Sequence, residues 1–295
     1  MMLVIYITCK KSLKQFNKIH LKYVDDLLVA EAVNLKENLE NIPPQERILP
    51  DDFHTRTGHH LPVEKSEVYE QLLKTKKYAE ENQMQLNLKK TKLMLFNPSR
   101  NWDFYPHFNI EGNDIELVDQ TRLLGVVLQS DLTWSAHIEH VVLKCNKKLW
   151  ILRGLKKLGA DDDDLKEIYI TQIRSILEYA APVWHSSLTG AQIQKLERVQ
   201  KSALHIIHAD NYKSYEHACE VLSLETLNTK RENLCTKFAK RSLKSKKLTT
   251  WFKVNTKIGN TRSKQPKLCN VFSRTNRFKN SPISYMTSIL NKEAK

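Results

Sequence analysis

The residues best suited to chemistry stand in one run, Tyr23-Val24-Asp25-Asp26, between apolar flanks: Leu21 before it and Leu27, Leu28, Val29 and Ala30 after it. Asp tolerates turn geometry, so the pair predicts a tight turn between two strands. Two carboxylates at a hairpin tip suit hard divalent cations, because magnesium prefers oxygen ligands and keeps waters that substrate phosphates can replace. In two-metal phosphoryl transfer such carboxylates hold two ions roughly 4 Å apart, and the ions stabilise the attacking and leaving oxygens. The plainer reading of the same four residues is an acidic turn that ends a hairpin.

Other polar clusters point to chemistry less well. Asp161–Asp164 reads as the acidic start of a helix, favoured by the helix dipole. His137 and His140 have no third ligand near them in sequence, and the gaps between His217, Cys219 and Cys235 match no zinc pattern. Trp134 and Trp184 read as core residues rather than platforms for stacked bases.

Charge gives an independent handle on partners. Of the net +14, the stretch from Lys230 to Lys295 carries +16 (18 Lys/Arg against Glu232 and Glu293), so the other residues sum to −2. A polyanion would be gripped mainly there, with strong salt dependence if it is nucleic acid. A solvated basic tail is the alternative. Lys240-Arg-Ser-Leu-Lys-Ser-Lys-Lys247 reads either as a nuclear-localisation or nucleic-acid patch or as the exposed side of an amphipathic segment.

No apolar run approaches the roughly 18 residues that span a bilayer. Met1–Thr8 is short and is followed by Lys10, Lys11 and Lys14 without a small-residue cleavage site, which argues against a signal peptide. Five widely spaced cysteines, an odd number, do not make a disulfide framework. The expectation is a reducing compartment, nuclear or cytoplasmic, with no secretion and no membrane partner.

The elements that must position these residues follow from pattern. A Pro-bearing loop runs from Asn41 to Pro62. Ser66 is a candidate N-cap for a helix carrying Val68, Leu72 and Ala79 and reaching Gln83. Lys92–Phe96 reads as a strand, and Phe108–Ile110 and Ile115–Val118 as a hairpin about Glu111-Gly-Asn-Asp114. From Ser135 the pattern is helical. Ile138, Val142, Cys145, Leu149 and Leu152 make one apolar face, ended by Gly154 and Gly159. A second helix carries Leu165, Tyr169, Ile173, Ile176 and Ala180, and Pro182 closes it. Thr189 with Gln192 predicts a capping box for a third, which turns Ile193, Leu196, Val199, Ala203 and Ile207 inward. Its Lys195, Arg198 and Lys201 form a separate cationic stripe. The spacing predicts an antiparallel helical unit, with regularity fading after Asn228.

Tyr-x-Asp-Asp is the motif C signature of reverse transcriptases, and further blocks follow in the family's order. Met84-Gln-Leu-Asn-Leu-Lys-Lys-Thr-Lys-Leu-Met94 resembles motif D, and Leu123-Leu-Gly-Val126 resembles the primer-grip hairpin, motif E. Leu132-Thr-Trp134, Leu177-Glu-Tyr-Ala-Ala-Pro-Val-Trp184 and Leu196-Glu-Arg-Val-Gln-Lys201 resemble the thumb of LINE-type, jockey-like elements. Arg56-Thr-Gly-His59 and Asn260-Thr-Arg262 through Arg277 also look like stretches of such elements. Nearly the whole chain resembles the C-terminal part of a non-LTR retrotransposon reverse transcriptase. A rival LTR-element enzyme would continue toward spaced acidic residues of an RNase H segment, where this chain turns helical and basic.

The resemblance implies an α+β fold: a partial palm of short antiparallel strands plus a helix (1–130), an all-α thumb (131–228) and a poorly ordered basic C-terminal region (229–295). It implies RNA-directed DNA polymerase chemistry with Mg2+, an RNA and DNA template–primer and dNTP. Asp25 matches the magnesium ligand and Asp26 its partner. Tyr23 matches the aromatic residue near the primer terminus, and Lys90 the motif D lysine, whose ammonium would offset charge on departing pyrophosphate. A solvated lysine beside Lys89 and Lys92 is the alternative there. Gly125 matches the grip glycine, or is simply a strand glycine marking a bulge. The expected nucleic-acid contacts are Tyr23, Gly125, Lys195, Arg198, Lys201, Lys240, Arg241, Lys244, Lys246 and Lys247, with Asp25, Asp26 and Lys90 as the catalytic set. About 20 residues precede the Asp pair, too few for the family's motif A aspartate and motif B. The expectation is therefore a chain inactive by itself, or a non-catalytic nucleic-acid-binding remnant.

Overall fold

A computed structural model describes residues 2–9, 19–23, 26–34, 59–61, 67–84, 87–96, 104–106, 108–110, 112–255, 268–270 and 272–293; before 69, at 104–106 and at 210 it describes the backbone alone. The described residues form a mixed α+β structure of short strands and predominant helix. Residues 1–133 and 134–295 make two compact units.

The first unit contains β1 (Met2–Cys9), β2 (Ile19–Tyr23), β3 (Asp26–Asn34), β4 (His59–Leu61), α1 (Glu67–Glu81), β5 (Thr91–Phe96), β6 (Phe104–Pro106), β7 (Asn109–Ile110), β8 (Asn113–Asp114), β9 (Glu116–Leu117), β10 (Gln120–Leu123) and β11 (Val126–Gln129). Five of these strands form a sheet in the order β2-β3-β1-β5-β9. This sheet is mixed, which corrects the expectation of antiparallel strands. β1 runs parallel to β3 and β5, β9 runs parallel to β5, and only β2–β3 is antiparallel. The reason lies in β1 and β5. Met2–Cys9 is a near-continuous apolar run, and Leu93, Met94, Leu95 and Phe96 are all buried, as befits parallel strands covered on both faces. α1 lies on the crossover from β3 to β5, with Leu72 and Ala79 buried as the spacing predicts. Ser66 falls outside the described residues.

The hairpin expected over residues 108–118 is tighter than the sequence suggests. Asn109 pairs with Asp114 and Ile110 with Asn113, and Gly112 turns the chain at φ +77°. Asn109 Oδ1 accepts from the Gly112 amide at 3.0 Å. Glu116–Leu117 is thereby released to pair with β5.

The second unit contains α2 (Ser135–Lys157), α3 (Asp162–Ile168), α4 (Ser175–Glu178), α5 (Ala181–Trp184), α6 (Gly190–Ile207), α7 (Tyr215–Val221), α8 (Leu227–Lys244), α9 (Asn276–Lys279) and α10 (Pro282–Glu293). Gly154 does not break α2; the helix ends at Gly159. There φ is +88°, and the amides of Gly159 and Ala160 bond back to the carbonyls of Lys156 and Leu155, a Schellman closure. A Cβ built at Gly154 meets nothing within 4 Å. Gly154→Ala is therefore expected to raise stability by about 0.5–1 kcal/mol, read as a higher urea midpoint. A lower midpoint would mean that the position is closed after all.

α3 begins where expected: Asp161 Oδ1 accepts from the Asp164 amide at 2.8 Å. The helix then passes through a π turn, Tyr169–Arg174, into α4. Leu165, Tyr169, Ile173 and Leu177 are fully buried at a spacing of four. In an α-helix that spacing drifts by about 40° per step, and the wider π turn counteracts the drift. It also brings Leu177 fully into the core, with Ile176 half-buried against it. Ala180 at φ 53° ends this helix, and Pro182 opens α5 rather than closing anything. The capping box at α6 is present in full: the Thr189 hydroxyl accepts from the Gln192 amide, and Gln192 Oε1 from the Thr189 amide.

The expectation of a poorly ordered region from residue 229 is corrected for the described part of it; residues 256–267 lie outside the described residues. α8 runs through that boundary for 18 residues, and α10 adds 12 more. α8 buries Leu227, Arg231, Cys235, Ala239 and Ser242, a stripe at helical spacing. Its members include one cation and three small or weakly polar residues, which hides the periodicity from an apolar count. Met286 and Leu290 of α10 join Ala239 and Phe252 in a small core of their own.

Candidate metal and nucleic-acid site

Strand register brings Tyr23, Asp26 and Lys90 to one end of the first unit's main sheet. Tyr23 pairs with Asp26 as the last rung of β2–β3, so Val24 and Asp25 join the strands as a two-residue connection. Asp25 itself lies outside the described residues. In the next strand Met2 sits opposite Leu27, and on its other side Met2 sits opposite Thr91. Asp26 and Lys90 each precede that row by one residue, at the same end of the sheet. Two strand spacings separate their strands, about 10 Å.

Lys90 owes its place to a short 3-10 turn, Leu88–Lys90. Asn87 caps it, with Oδ1 accepting from the Lys90 amide at 3.1 Å, and the Thr91 hydroxyl donates to the Asn87 carbonyl at 3.0 Å. That turn delivers the chain into β5 and leaves Lys90 exposed. The neighbouring Lys92 is bound to Glu116 and is not available in the same way.

The arrangement falls short of a two-metal cage. β1, the strand beside Asp26, carries no carboxylate. Among the described residues no group of three His, Cys, Asp or Glu is arranged to hold a metal ion. Asp25 and Asp26 would be two ligands of a larger set, and no chemical step follows from them alone.

Gly125 sits at φ +84° after Leu124 at φ 46°, between β10 and β11. Two successive positive φ values make the tight primed turn of a two-residue hairpin, not a bulge. β10–β11 is a separate two-stranded ribbon.

In the second unit Lys195, Arg198 and Lys201 are exposed on α6 as expected. Lys195 lies 3.8 Å from Glu139, and Lys201 Nζ stands 4.9 Å from the centre of the Tyr215 ring. Lys240, Arg241 and Lys244 are exposed on the last turns of α8, with Lys246 and Lys247 just beyond. Lys240 pairs with Glu293 at 3.0 Å.

What holds these cationic faces in place is a buried polar network that sequence reasoning missed. Gln200, fully buried, accepts from the Tyr169 hydroxyl at 2.6 Å and donates to the Tyr215 hydroxyl at 2.8 Å and the Glu225 carbonyl at 3.0 Å. Tyr215 donates to Glu197 at 2.6 Å. The other oxygen of Glu197 accepts from the Asn228 amide at 2.6 Å, a carboxylate seated on the first turn of α8. Burial, then the bonded Glu197, push the Tyr215 hydroxyl far above its ordinary range. Arg174 donates to Glu178 at 2.7 Å.

Arg231 is fully buried and has no such ion pair among the described residues. Its Nε donates to His185 Nδ1 at 3.3 Å, and its guanidinium lies 5.8 Å from the centre of the Trp184 ring. Nη1 and Nη2 have no hydrogen-bond partner among the described residues. Burial lowers its pKa, and the Glu197 and Glu178 carboxylates act the other way. The only sequence signal for this network was a polar residue at an inward position, Gln200 next to Val199 and Arg231 four residues from Leu227 and Cys235.

No family model, curated protein or solved structure matches the chain.

Proposed function

We propose that this chain is the C-terminal part of an RNA-directed DNA polymerase of the non-LTR retrotransposon type. The observation that carries the reading is the shared end of the sheet: an antiparallel hairpin closes on Tyr23-Val-Asp-Asp26, and Lys90 ends a turn level with it. In the complete enzyme Asp25 and Asp26 would hold Mg2+ together with carboxylates from another segment. Lys90 would face the triphosphate of the incoming dNTP, and Tyr23 and Gly125 the template–primer.

The chain by itself is expected not to extend a primer on an RNA template. Joining the motif A and B segment of a jockey-like element to Met1 is expected to produce extension. Asp25→Asn or Asp26→Asn in that fusion should lower the rate by about 100-fold or more, since each removes a ligand of the two-metal site. Extension that survives both substitutions, or extension by the chain alone, would overturn the reading.

A non-catalytic nucleic-acid binder is the second reading, favoured by the +16 carried by residues 230–295. If about six phosphates are engaged, affinity for single-stranded RNA should fall by roughly 10²–10³-fold between 50 and 200 mM salt. Replacing Lys240, Arg241, Lys244, Lys246 and Lys247 by Gln should flatten the salt slope, by about one for each phosphate no longer engaged. Affinity independent of salt would rule out a grip on phosphates.

A further inference from the structure

Opposite its buried face, α2 carries a second apolar stripe. Leu143, Trp150, Ile151 and the C-cap residue Leu158 are 63%, 74%, 50% and 86% exposed. At about 100° per residue they share one side of the helix, while Val141, Cys145 and Leu152 point the other way into the core. The stripe is about 22 Å long. Gly154 lies within it, four residues after Trp150 and four before Leu158. The fold does not require glycine there, because its backbone is helical and a Cβ would meet no neighbour within 4 Å. A glycine inside a helix is unfavourable, and its benefit is close approach by another backbone.

The margins are cationic. Residues 141–160 hold Lys144, Lys147, Lys148, Arg153, Lys156 and Lys157 and no Asp or Glu. Lys156 is held by Asp162 and Lys148 by Gln172, which leaves Lys144, Arg153 and Lys157 exposed at the stripe's margins and Lys147 exposed within it, between Leu143 and Ile151.

We infer that this face docks an amphipathic helix of a partner protein, apolar along one side and acidic along its edges. A helix laid along α2 would bury the four side chains, come closest at Gly154 and set its acids against the flanking cations. A second copy of this chain would bring the same cations together and be repelled. Nucleic acid satisfies the charge but not the stripe, since three of its four members are aliphatic and offer bases no stacking surface. The inference stands apart from the polymerase reading and uses none of its residues.

The test is fluorescence anisotropy on the full chain. The probe is a labelled 21-residue helical peptide with Leu at the first and fourth positions of each heptad and Glu at the fifth and seventh. It should bind about tenfold or more tighter than the same peptide with Lys in place of Glu. Gly154→Leu, which fills the notch without touching the core, and the double variant Trp150→Ser with Leu158→Ser should each weaken the Glu peptide by about tenfold or more. Circular dichroism confirms that both variants fold. Equal affinity for the two peptides, or undiminished binding by the folded variants, overturns the inference. So does a double variant that loses affinity for a twenty-nucleotide oligothymidylate but not for the peptide, which gives the face to nucleic acid. Conversion of a dimer to a monomer by that variant in sedimentation velocity also overturns it, giving the face to a second copy.

Discussion

Trp184→Ala is expected to destabilise the helical unit by about 3–5 kcal/mol, the range for truncating a large aromatic side chain in a close-packed core. Trp184 is fully buried. Its indole Nε1 donates to the Tyr179 carbonyl at 3.0 Å, across the left-handed residue Ala180 that ends the preceding helix. The His137 ring packs 5.5 Å from it, and the buried Arg231 guanidinium lies near its face. Removing the indole opens a cavity, takes its donor from the Tyr179 carbonyl and strips the aromatic face from a buried cation two of whose nitrogens have no hydrogen-bond partner among the described residues. Trp184→Phe keeps most of the volume and loses the donor, and should cost about 1–3 kcal/mol. Urea unfolding followed by circular dichroism measures both. A loss below about 1 kcal/mol for the alanine variant would mean that this core is less tightly packed than described.

The second large effect is acid sensitivity. His137 and His185 are both buried, and burial holds each imidazole down at about 4, with His140 adding to the effect at His137 and Arg231 at His185. His185 accepts at Nδ1 from Arg231, so its neutral form carries the proton on Nε2. In the unfolded chain both groups take up a proton near pH 6.5. Between those values the unfolded state binds more protons, so stability rises with pH. The contribution is complete above about pH 6.5 and is lost as the pH falls toward 4. It is on the order of 3 kcal/mol for each histidine, a large share of the roughly 5–15 kcal/mol of a typical domain. Asp162 lies below the ordinary carboxylate range, first because Lys156 bonds it, so its own contribution is lost only at still lower pH. Urea midpoints should change little between pH 7.5 and 6.5 and then fall through pH 5.5 to 4.5. His185→Gln, which keeps an acceptor for Arg231 and removes the titration, should flatten about half of that fall. A flat wild-type profile across this window would show that neither imidazole is kept neutral by the fold.

Short-range signals were legible in the chain because each is closed by neighbours in sequence. The Asp161 cap, the Thr189–Gln192 capping box and the inward faces of α2 and α6 all involve residues a few positions apart. The Tyr23–Asp26 hairpin was legible for the same reason: two strands joined by two residues have one register. Lys90 was nameable from its motif, but its level with Asp26 was not, because that depends on β1 pairing with both β3 and β5 across more than 80 residues.

Sequence by itself determined the local turns, the caps, the apolar faces and the placing of charge. Tertiary structure decided which strand lies between Asp26 and Lys90, that residues 229–244 and 282–293 are helical, and that Gln200 and Arg231 are interior. Those outcomes turn on long-range burial. A Gln or Arg reads as surface until the partners that satisfy it, Tyr169, Tyr215, His185 and Trp184, are brought round it from other helices.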